Sequence, residues 1–147
     1  MSPFSARIRE EILATFPEWV VFVAEETYKG SEPYLIVTVP PPQEARTDLP
    51  LRISTWDEEI TVDFDYYHTH FDRWRPGKDD DKNNSAQLFV QSILEEKVAA
   101  ASWWQGATCK VCSQLEPGGP LHPQFKVSYS RVRVRSWHGS LNVDRDA

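Results

Sequence analysis

The sequence predicts an α+β fold in which an antiparallel β-sheet is covered by two α-helices, one N-terminal and one central. Only two segments have the apolar spacing of an amphipathic helix, and most other segments alternate or cluster apolar residues as strands do. Strands and helices do not alternate along the chain, which excludes a doubly wound parallel sheet. At 147 residues the chain has the length of one domain, so we predict a single domain over 1–147 with about six to eight strands.

An amphipathic helix is predicted over residues 5–16, near the start of the chain. Ser5 precedes the apolar positions and can cap the helix with its hydroxyl group. Pro17 ends it, because the residue before a proline disfavours helical backbone geometry. The apolar residues that share one face at helical spacing are Ile8, Ile12, Leu13 and Phe16.

Four strands are predicted between this helix and the middle of the chain. The first three cover residues 19–27, 34–39 and 49–56. Prolines at positions 40–42 end the second strand, because proline donates no hydrogen bond to a sheet. A tight turn at 57–58 then leads into the fourth and longest strand, over 59–71.

The fourth strand carries the most suggestive residues. Apolar residues at its start alternate with acidic ones, and His68 and His70 are expected to share the apolar face because residues two apart point the same way. Their imidazoles could bind one metal ion, with Asp72 adding an oxygen at the strand end. Two other interpretations stay open: structural histidines bonded to backbone or carboxylate, and a binding surface shared with nearby aromatic residues.

The second half of the chain predicts a helix followed by further strands. A polar loop over 76–84 precedes a helix that runs from 84 or 85 to about 97. A hairpin follows, with strands over 98–104 and 108–114 joined by a Gln-Gly turn. After a loop rich in proline and glycine, a last strand or bent strand pair covers 124–137.

The net charge of −6 is unevenly distributed along the chain. Residues 1–81 carry 17 acidic and 8 basic side chains, whereas residues 82–147 carry 5 acidic and 8 basic ones. A generally basic nucleic-acid-binding protein is therefore excluded, since its net charge is positive. An acidic surface can instead attract a basic protein partner.

Composition also bears on the expected compartment. No apolar run is long enough to span a bilayer, and no apolar segment follows the N-terminal arginines as in a signal peptide. With two cysteines and no export signal, the protein is expected in the cytoplasm, without a membrane or direct nucleic-acid partner. The sequence does not determine the oligomeric state.

Three arginines in the last predicted strand alternate with valines. Arg131, Arg133 and Arg135 are therefore expected on one face of that strand. They can contact phosphate or an acidic partner, or they can pair within the protein with acidic residues of the fourth strand at positions 59, 63 and 65. The internal pairing is favoured, because the acidic residues have the same two-residue spacing and like charges on one strand otherwise repel.

Cys109 and Cys112 form a single C-x-x-C pair in the predicted hairpin. A zinc ribbon needs two such pairs or a pair with closely spaced histidines, and a redox pair begins a helix. Side chains three residues apart on a strand face opposite sides, so the two thiols are not expected to meet. Two ordinary small side chains are the favoured interpretation, with zinc binding and redox chemistry as alternatives.

Tryptophan is unusually frequent, with six in 147 residues. Trp103 and Trp104 are adjacent on a predicted strand, so one is expected to face the core and the other the opposite side. Core packing is expected to account for most of the tryptophans. Trp74 is the one expected at an interface, because indoles near tyrosines and charged residues form binding hot spots.

Three stretches of the chain carry a resemblance. They are Glu-Ile-Thr-Val-Asp-Phe-Asp-Tyr-Tyr-His-Thr-His-Phe-Asp at 59–72, Ser-Trp-Trp at 102–104 and Val-Arg-Val-Arg-Ser-Trp-His-Gly at 132–139. Together they resemble small bacterial immunity proteins of polymorphic-toxin or contact-dependent inhibition systems. The resemblance implies a cytoplasmic antidote that binds one cognate toxin domain and blocks its active site. It assigns no functional residue, because immunity proteins of one fold use different surfaces.

We therefore predict a non-catalytic antidote that neutralises a cognate toxin domain and uses no cofactor. Since the sequence has no phosphate-binding glycine loop and no nucleophile or zinc-protease motif, we assign no catalytic residue. The alternatives are a metal-dependent enzyme centred on His68, His70 and Asp72, and an interaction or scaffold protein without a toxin partner. The predicted surface for the partner lies where acidic, aromatic and histidine residues are densest: Asp63, Asp65, Tyr67, His68, His70, Asp72, Trp74, Asp79, Asp80 and Asp81.

Overall fold

The computed structural model describes residues 1–123 and 126–147 of the chain. These residues form two α-helices and nine strands, which make two antiparallel sheets of five and four strands. The predicted α+β class and the N-terminal and central positions of the helices are confirmed. The predicted single sheet of about six to eight strands is wrong, because the nine strands form two separate sheets. No helix in the described ranges is long and apolar enough to cross a membrane.

The chain packs as two compact units, each assembled from three separate segments. The first unit contains 14 acidic and 8 basic residues and the second contains 8 of each, so the net charge of −6 belongs to the first unit. The prediction of a single domain over 1–147 stays a prediction. The first unit consists of Met1–Pro40, Pro50–Asp63 and His68–Gln91, and the second of Pro41–Leu49, Phe64–Tyr67 and Ser92–Ala147.

The helices are α1 (Pro3–Thr15) and α2 (Ala86–Leu94). The five-stranded sheet consists, in spatial order, of β1 (Val23–Glu26), β2 (Tyr34–Val39), β3 (Leu51–Ser54), β4 (Ile60–Phe64) and β5 (Tyr67–Phe71). The four-stranded sheet consists of β6 (Ala99–Gln105), β7 (Thr108–Leu115), β8 (Arg131–Arg135) and β9 (Val143–Asp146), in the spatial order β7–β6–β8–β9. Three 3-10 helices lie at Pro17–Phe22, Gln43–Ala45 and Trp56–Glu58.

Helix α1 begins earlier than predicted, because its cap is Ser2 rather than Ser5. The Ser2 hydroxyl oxygen accepts a hydrogen bond from the Ser5 backbone N–H at 3.1 Å. Ser5 itself is buried, and its hydroxyl group lies 2.6 Å from the Thr55 hydroxyl group. Ile8 and Ile12 are buried, as the helical spacing predicts.

The first half of the predicted strand 19–27 is a 3-10 helix over Pro17–Phe22, and only Val23–Glu26 pair as β1. Proline at the first position suits a helical turn. The ring of Phe16 stacks on that of Trp19, with centroids 4.0 Å apart, and this contact holds the turn in place. By contrast, β2 covers the predicted residues 34–39.

The longest predicted strand, 59–71, is two strands joined by a turn at Asp65 and Tyr66. Strand β4 alternates buried and half-buried positions as predicted. The chain then reverses at Asp65, whose φ of 50° lies in the left-handed region that aspartate tolerates better than most residues. His68 and His70 are therefore exposed on β5 instead of sharing the buried face of β4.

Helix α2 ends before the predicted boundary near 97, because its last turn closes as a Schellman motif. Glu96 has a φ of 57°, and its N–H donates to the Ile93 carbonyl oxygen at 3.0 Å. The N–H of Lys97 donates to the Ser92 carbonyl oxygen at 2.9 Å. These bonds satisfy carbonyl groups that a helix end otherwise leaves without partners.

The apolar core of the second unit lies on one face of the β6–β8 pair. Trp103 is opposite Val132 and Ala101 is opposite Val134, and all four are buried in one cluster. Trp104 lies on the other face of β6, so the prediction that the two adjacent tryptophans face opposite sides is confirmed.

The last predicted strand, 124–137, is confirmed over Arg131–Arg135, while positions 124 and 125 lie outside the described residues. Strand β9 is not predicted, since its sequence Val-Asp-Arg-Asp has little strand propensity. It forms against β8, where Asp144 lies opposite Arg133. Cross-strand pairs of opposite charge stabilise such a strand.

Arg133 of β8 is only 6% exposed and is surrounded by acceptors of the second unit. Its Nε lies 3.3 Å from Asp65 Oδ2, and its Nη2 lies 3.3 Å from Asp48 Oδ1. Its Nη2 also donates to the Arg46 carbonyl oxygen at 3.2 Å. The internal pairing predicted for the arginines is thus confirmed for Asp65.

Arg135 is buried on the same strand and finds a different acidic partner. Its Nη2 donates to Asp144 Oδ1 at 2.9 Å, and this hydrogen bond lowers the pKa of the Asp144 carboxyl group. The predicted pairing with Glu59 and Asp63 is wrong, because β4 belongs to the other sheet and Glu59 pairs with His70.

Replacing Asp65 by asparagine is expected to lower the free energy of unfolding by about 3 kcal/mol, because Arg133 loses its buried counter-charge. Asparagine tolerates the left-handed backbone, so the substitution isolates the charge. Asp57→Asn is the matched control, since Asp57 has a φ of 59° and is exposed; its effect should stay within about 0.5 kcal/mol. Urea denaturation at pH 7 measures both, and equal losses in the two variants contradict the prediction.

Candidate binding site

An open cavity lined by aromatic rings lies on the first unit. Tyr34 stands at the start of β2, and Tyr28 and Trp56 lie in the segments that follow β1 and β3. The ring centroid of Trp56 is 5.1 Å from that of Tyr28 and 5.3 Å from that of Tyr34, with interplanar angles of 75° and 59°. The Trp56 ring is thus steeply inclined to both tyrosine rings and forms a corner with each of them. We call this feature the aromatic cavity.

Polar side chains from two neighbouring strands complete the aromatic cavity. Residues 52 and 54 of β3 share a face, as do residues 61 and 63 of β4, because side chains two apart on a strand point the same way. The volume is about 280 Å³. The lining residues are Tyr28, Tyr34, Arg52, Ser54, Trp56, Thr61 and Asp63.

A second cavity, of about 240 Å³, shares Tyr34 and Trp56 with the first. Its charged lining residues are all acidic: Glu32, Asp57 and Glu58. Carboxylates on the rim of a cleft create a negative potential, so the surroundings of Trp56 attract a cation.

Trp56 and Tyr28 are the aromatic residues that the sequence analysis missed. They are 40% and 48% exposed, whereas the other five tryptophans are at most 9% exposed. The sequence feature that could have indicated the exposure of Trp56 is its position beside the Asp-Glu turn at 57–58, because a turn residue lies outside the strands that bury side chains. Lys29, Asp57 and Glu58 have φ values of 49°, 59° and 54°, so both aromatic segments contain strained residues of the kind that concentrates at binding sites.

Asp63 is the carboxylate of the aromatic cavity. It is half-buried, and within the described residues its carboxylate has no hydrogen bond or ion pair. Burial raises the pKa of Asp63, while the charges of Arg52, His68 and His70 lower it to a smaller extent. His70 borders the aromatic cavity, since its Nδ1 lies 2.9 Å from the hydroxyl oxygen of the lining residue Thr61.

Glu26 contacts two further lining residues of the aromatic cavity, Arg52 and Tyr34. Arg52 Nη2 lies 3.5 Å from Glu26 Oε2, and the Tyr34 hydroxyl group donates to the same oxygen at 3.3 Å. Burial, followed by the charge of Glu26, raises the pKa of Tyr34. The positive charge of Arg52 is thus partly compensated from outside the cavity.

The ten residues of the predicted surface fall into three environments. Asp65 and Trp74 are buried. The half-buried residues are Asp63, Tyr67 and Asp80, and the exposed residues are His68, His70, Asp72, Asp79 and Asp81.

The predicted exposure of Asp65 and Trp74 is wrong, since they are 3% and 0% exposed. Asp65 is the buried counter-ion of Arg133. The Trp74 indole Nε1 donates to the Thr15 hydroxyl oxygen at 3.1 Å, which ties the ring to the last turn of α1. A tryptophan packed under a helix in this way contributes to the core and not to an interface.

His68 and His70 are exposed neighbours, with ring centroids 5.5 Å apart. The Nδ1 of His70 lies 2.7 Å from Glu59 Oε1 and 2.9 Å from the Thr61 hydroxyl oxygen. In the described part of the chain, no group of three or more His, Cys, Asp or Glu residues is arranged to hold a metal ion. The alternative of a metal centre at His68, His70 and Asp72 stays a prediction.

The acidic loop over 79–81 is held by its own hydrogen bonds. Asp80 accepts a hydrogen bond from the Gly77 N–H at 2.7 Å and pairs with Arg73, and these contacts lower the pKa of Asp80. Asp81 Oδ1 accepts from the Asn83 N–H at 2.8 Å. The charge of Asp80 is therefore compensated locally, while Asp79 and Asp81 face solvent.

Cys109 and Cys112 lie on the same face of β7, so the prediction that they face opposite sides is wrong. A register shift between Trp103 and Trp104 marks a β-bulge, with Cys112 opposite Ser102 and Cys109 opposite Trp104. Ser102 and Trp104 share a face, and directly opposed residues lie on the same face of the sheet. Both thiols are free, and burial raises the pKa of each.

The site is suited to binding, because aromatic faces, hydroxyl groups and a half-buried carboxylate converge on one cavity. No model of a protein family, no curated protein and no solved structure matches the chain. The assignment of a function therefore rests on the geometry and chemistry of the site.

Iodoacetamide is expected to alkylate Cys109 and Cys112 about fivefold more slowly, or slower still, in the folded protein than in urea at pH 8, because the thiolate is the reacting form and is disfavoured by burial. Since both pKa values lie above the ordinary value of 9.0, the rate in the folded protein should still rise steeply above pH 9.0. Mass spectrometry of quenched samples measures both rates. Equal rates in the two states at pH 8 contradict the prediction.

Proposed function

We propose that this protein is a non-catalytic antidote of the immunity type, which binds a cognate toxin domain in the cytoplasm and occludes its active site. The observation that carries the proposal is the exposed pair Tyr28 and Trp56 on the unit that holds the net charge of −6. Exposed aromatic rings supply binding energy, and surrounding acidic residues select a basic partner. The resemblance of 59–72, 102–104 and 132–139 to immunity proteins supports the same class of function.

The proposed binding surface consists of Tyr28, Trp56, Asp63, His68 and His70. Asp63 belongs both to the predicted surface and to the aromatic cavity. The Nδ1 of His70 lies 2.9 Å from the hydroxyl oxygen of Thr61, which also lines the cavity, and the His68 ring is 5.5 Å from the His70 ring. The exposed Asp72 and Asp79 are proposed as an acidic rim that steers the partner during its approach.

Occlusion by this surface needs no bond to be made or broken. A toxin that acts on nucleic acid presents a basic cleft, and an acidic protein surface that fills the cleft excludes the substrate. Opposite fields accelerate the encounter, so association is expected to be fast and sensitive to salt.

The partner to test is the C-terminal domain of a large secreted protein encoded immediately beside this gene. Trp56→Ala is expected to weaken binding of that domain at least about tenfold, because central aromatic residues dominate interface energies. Val21→Ala is the control, since Val21 is 77% exposed on the same unit and lies outside the proposed surface. Isothermal titration calorimetry measures both variants. Equal affinities, or a gene neighbourhood without such a protein, count against the assignment.

The acidic rim is tested separately by reversing two exposed charges. Asp72→Lys combined with Asp79→Lys is expected to slow association about fivefold at low salt and to leave dissociation nearly unchanged, because rim charges act mainly on encounter. Stopped-flow fluorescence at low and high salt measures the rates, and the difference should shrink as salt screens it. Glu10→Lys combined with Glu18→Lys makes the same charge change on exposed positions elsewhere in the first unit. If both double variants associate at the same rate, Asp72 and Asp79 do not belong to the binding surface.

A further inference from the structure

We propose that the aromatic cavity is a receptor for the alkylammonium group of a lysine side chain on the protein partner. That the partner is a protein rests on the proposed function, whereas the choice of an ammonium group rests on the walls of the cavity.

The walls offer electron-rich aromatic faces in two directions. Trp56 meets Tyr28 and Tyr34 at angles of 75° and 59°, so a small group in the corner contacts more than one ring. The faces of tryptophan and tyrosine attract cations within about 6 Å of the ring centroid. The protein itself contains such contacts: Lys29 Nζ lies 5.2 Å from the centroid of Tyr28, and the guanidinium carbon of Arg131 lies 5.2 Å from the Trp104 ring.

The charges at the cavity favour a cation over an anion. Asp63 lines the cavity without an ion pair among the described residues. Arg52, the one basic lining residue, pairs with Glu26 at 3.5 Å. The adjoining cavity, which shares Trp56, adds Asp57 and Glu58. An incoming ammonium group therefore meets the carboxylate of Asp63 in the cavity and further negative charge in the adjoining cavity.

The size and shape of the cavity favour the end of one side chain. Its volume of about 280 Å³ is near the lower limit for small-molecule sites, which usually exceed about 300 Å³. A corner between inclined rings suits the compact ammonium group of lysine. The planar guanidinium group of arginine binds best by stacking on one flat face.

The test is an NMR titration of the full chain labelled with ¹⁵N at tryptophan. The Trp56 indole signal is assigned by its loss in Trp56→Phe, and the other five indole signals report whether each variant is folded. N-acetyl-lysine methylamide is expected to shift the Trp56 signal saturably, with a Kd of about 1–10 mM. The neutral N-acetyl-norleucine methylamide should bind at least about threefold more weakly, because it has the same apolar stem without the charge.

Two variants separate the carboxylate from the general charge of the unit. Asp63→Asn is expected to weaken binding of the lysine derivative at least about threefold, since it removes the charge that lines the cavity. Glu10→Gln removes the same charge from an exposed position of the first unit outside the proposed binding surface, and it should leave the affinity unchanged. Equal affinities of wild type and Asp63→Asn overturn the proposed contact.

Three other outcomes also overturn the proposal. Equal binding of the norleucine derivative shows a merely apolar site, and tighter binding of N-acetyl-arginine methylamide shows a guanidinium site. Binding of butylammonium without binding of the lysine derivative shows a site for a free small cation. No toxin domain is present in this titration, so its result is independent of whether the toxin domain binds.

Discussion

The second unit depends on the buried ion pair between Arg133 and Asp65. Two charges removed from water are tolerated only when each finds good partners, and both do. Asp65 Oδ1 accepts hydrogen bonds from the backbone N–H groups of Asp48 and Leu49 at 2.9 and 3.4 Å. Arg133 donates in turn to the carbonyl oxygen of Arg46. Segments 41–49 and 64–67 are thereby held against the central strand β8, although they are far apart in the sequence.

Asp65 also affects which side chains are exposed on the proposed binding surface. Asp65 occupies the turn that divides 59–71 into β4 and β5. Its left-handed backbone is retained because the carboxylate is bound by three partners in the second unit. The reversal at this turn exposes His68 and His70, which a continuous strand would place on the buried side. A structural ion pair thus decides which side chains of β5 are available to a partner.

The distribution of charge follows the two units rather than the two halves of the chain. In the second unit, buried arginines and their acidic partners compensate one another, and the acidic and basic residues are equal in number. The excess of acidic residues lies in the first unit, where Trp56 and Tyr28 are also exposed. Aromatic contact area and negative potential therefore occur on the same unit, and this combination favours binding of a basic protein surface.

Local periodicity in the sequence was sufficient to predict α1, β2, the alternation of buried positions in β4 and the opposite faces of Trp103 and Trp104. Periodicity indicates which side of a helix or strand is buried, because the spacing of apolar residues along the sequence places them on one side. It does not report which distant segment covers that side. Only the tertiary structure decided four other features: the turn at Asp65, the strand β9, the bulge that brings both thiols to one face, and the burial of Trp74 in place of Trp56. Each depends on hydrogen bonds or packing between residues remote in sequence, whose free energy outweighs local preference.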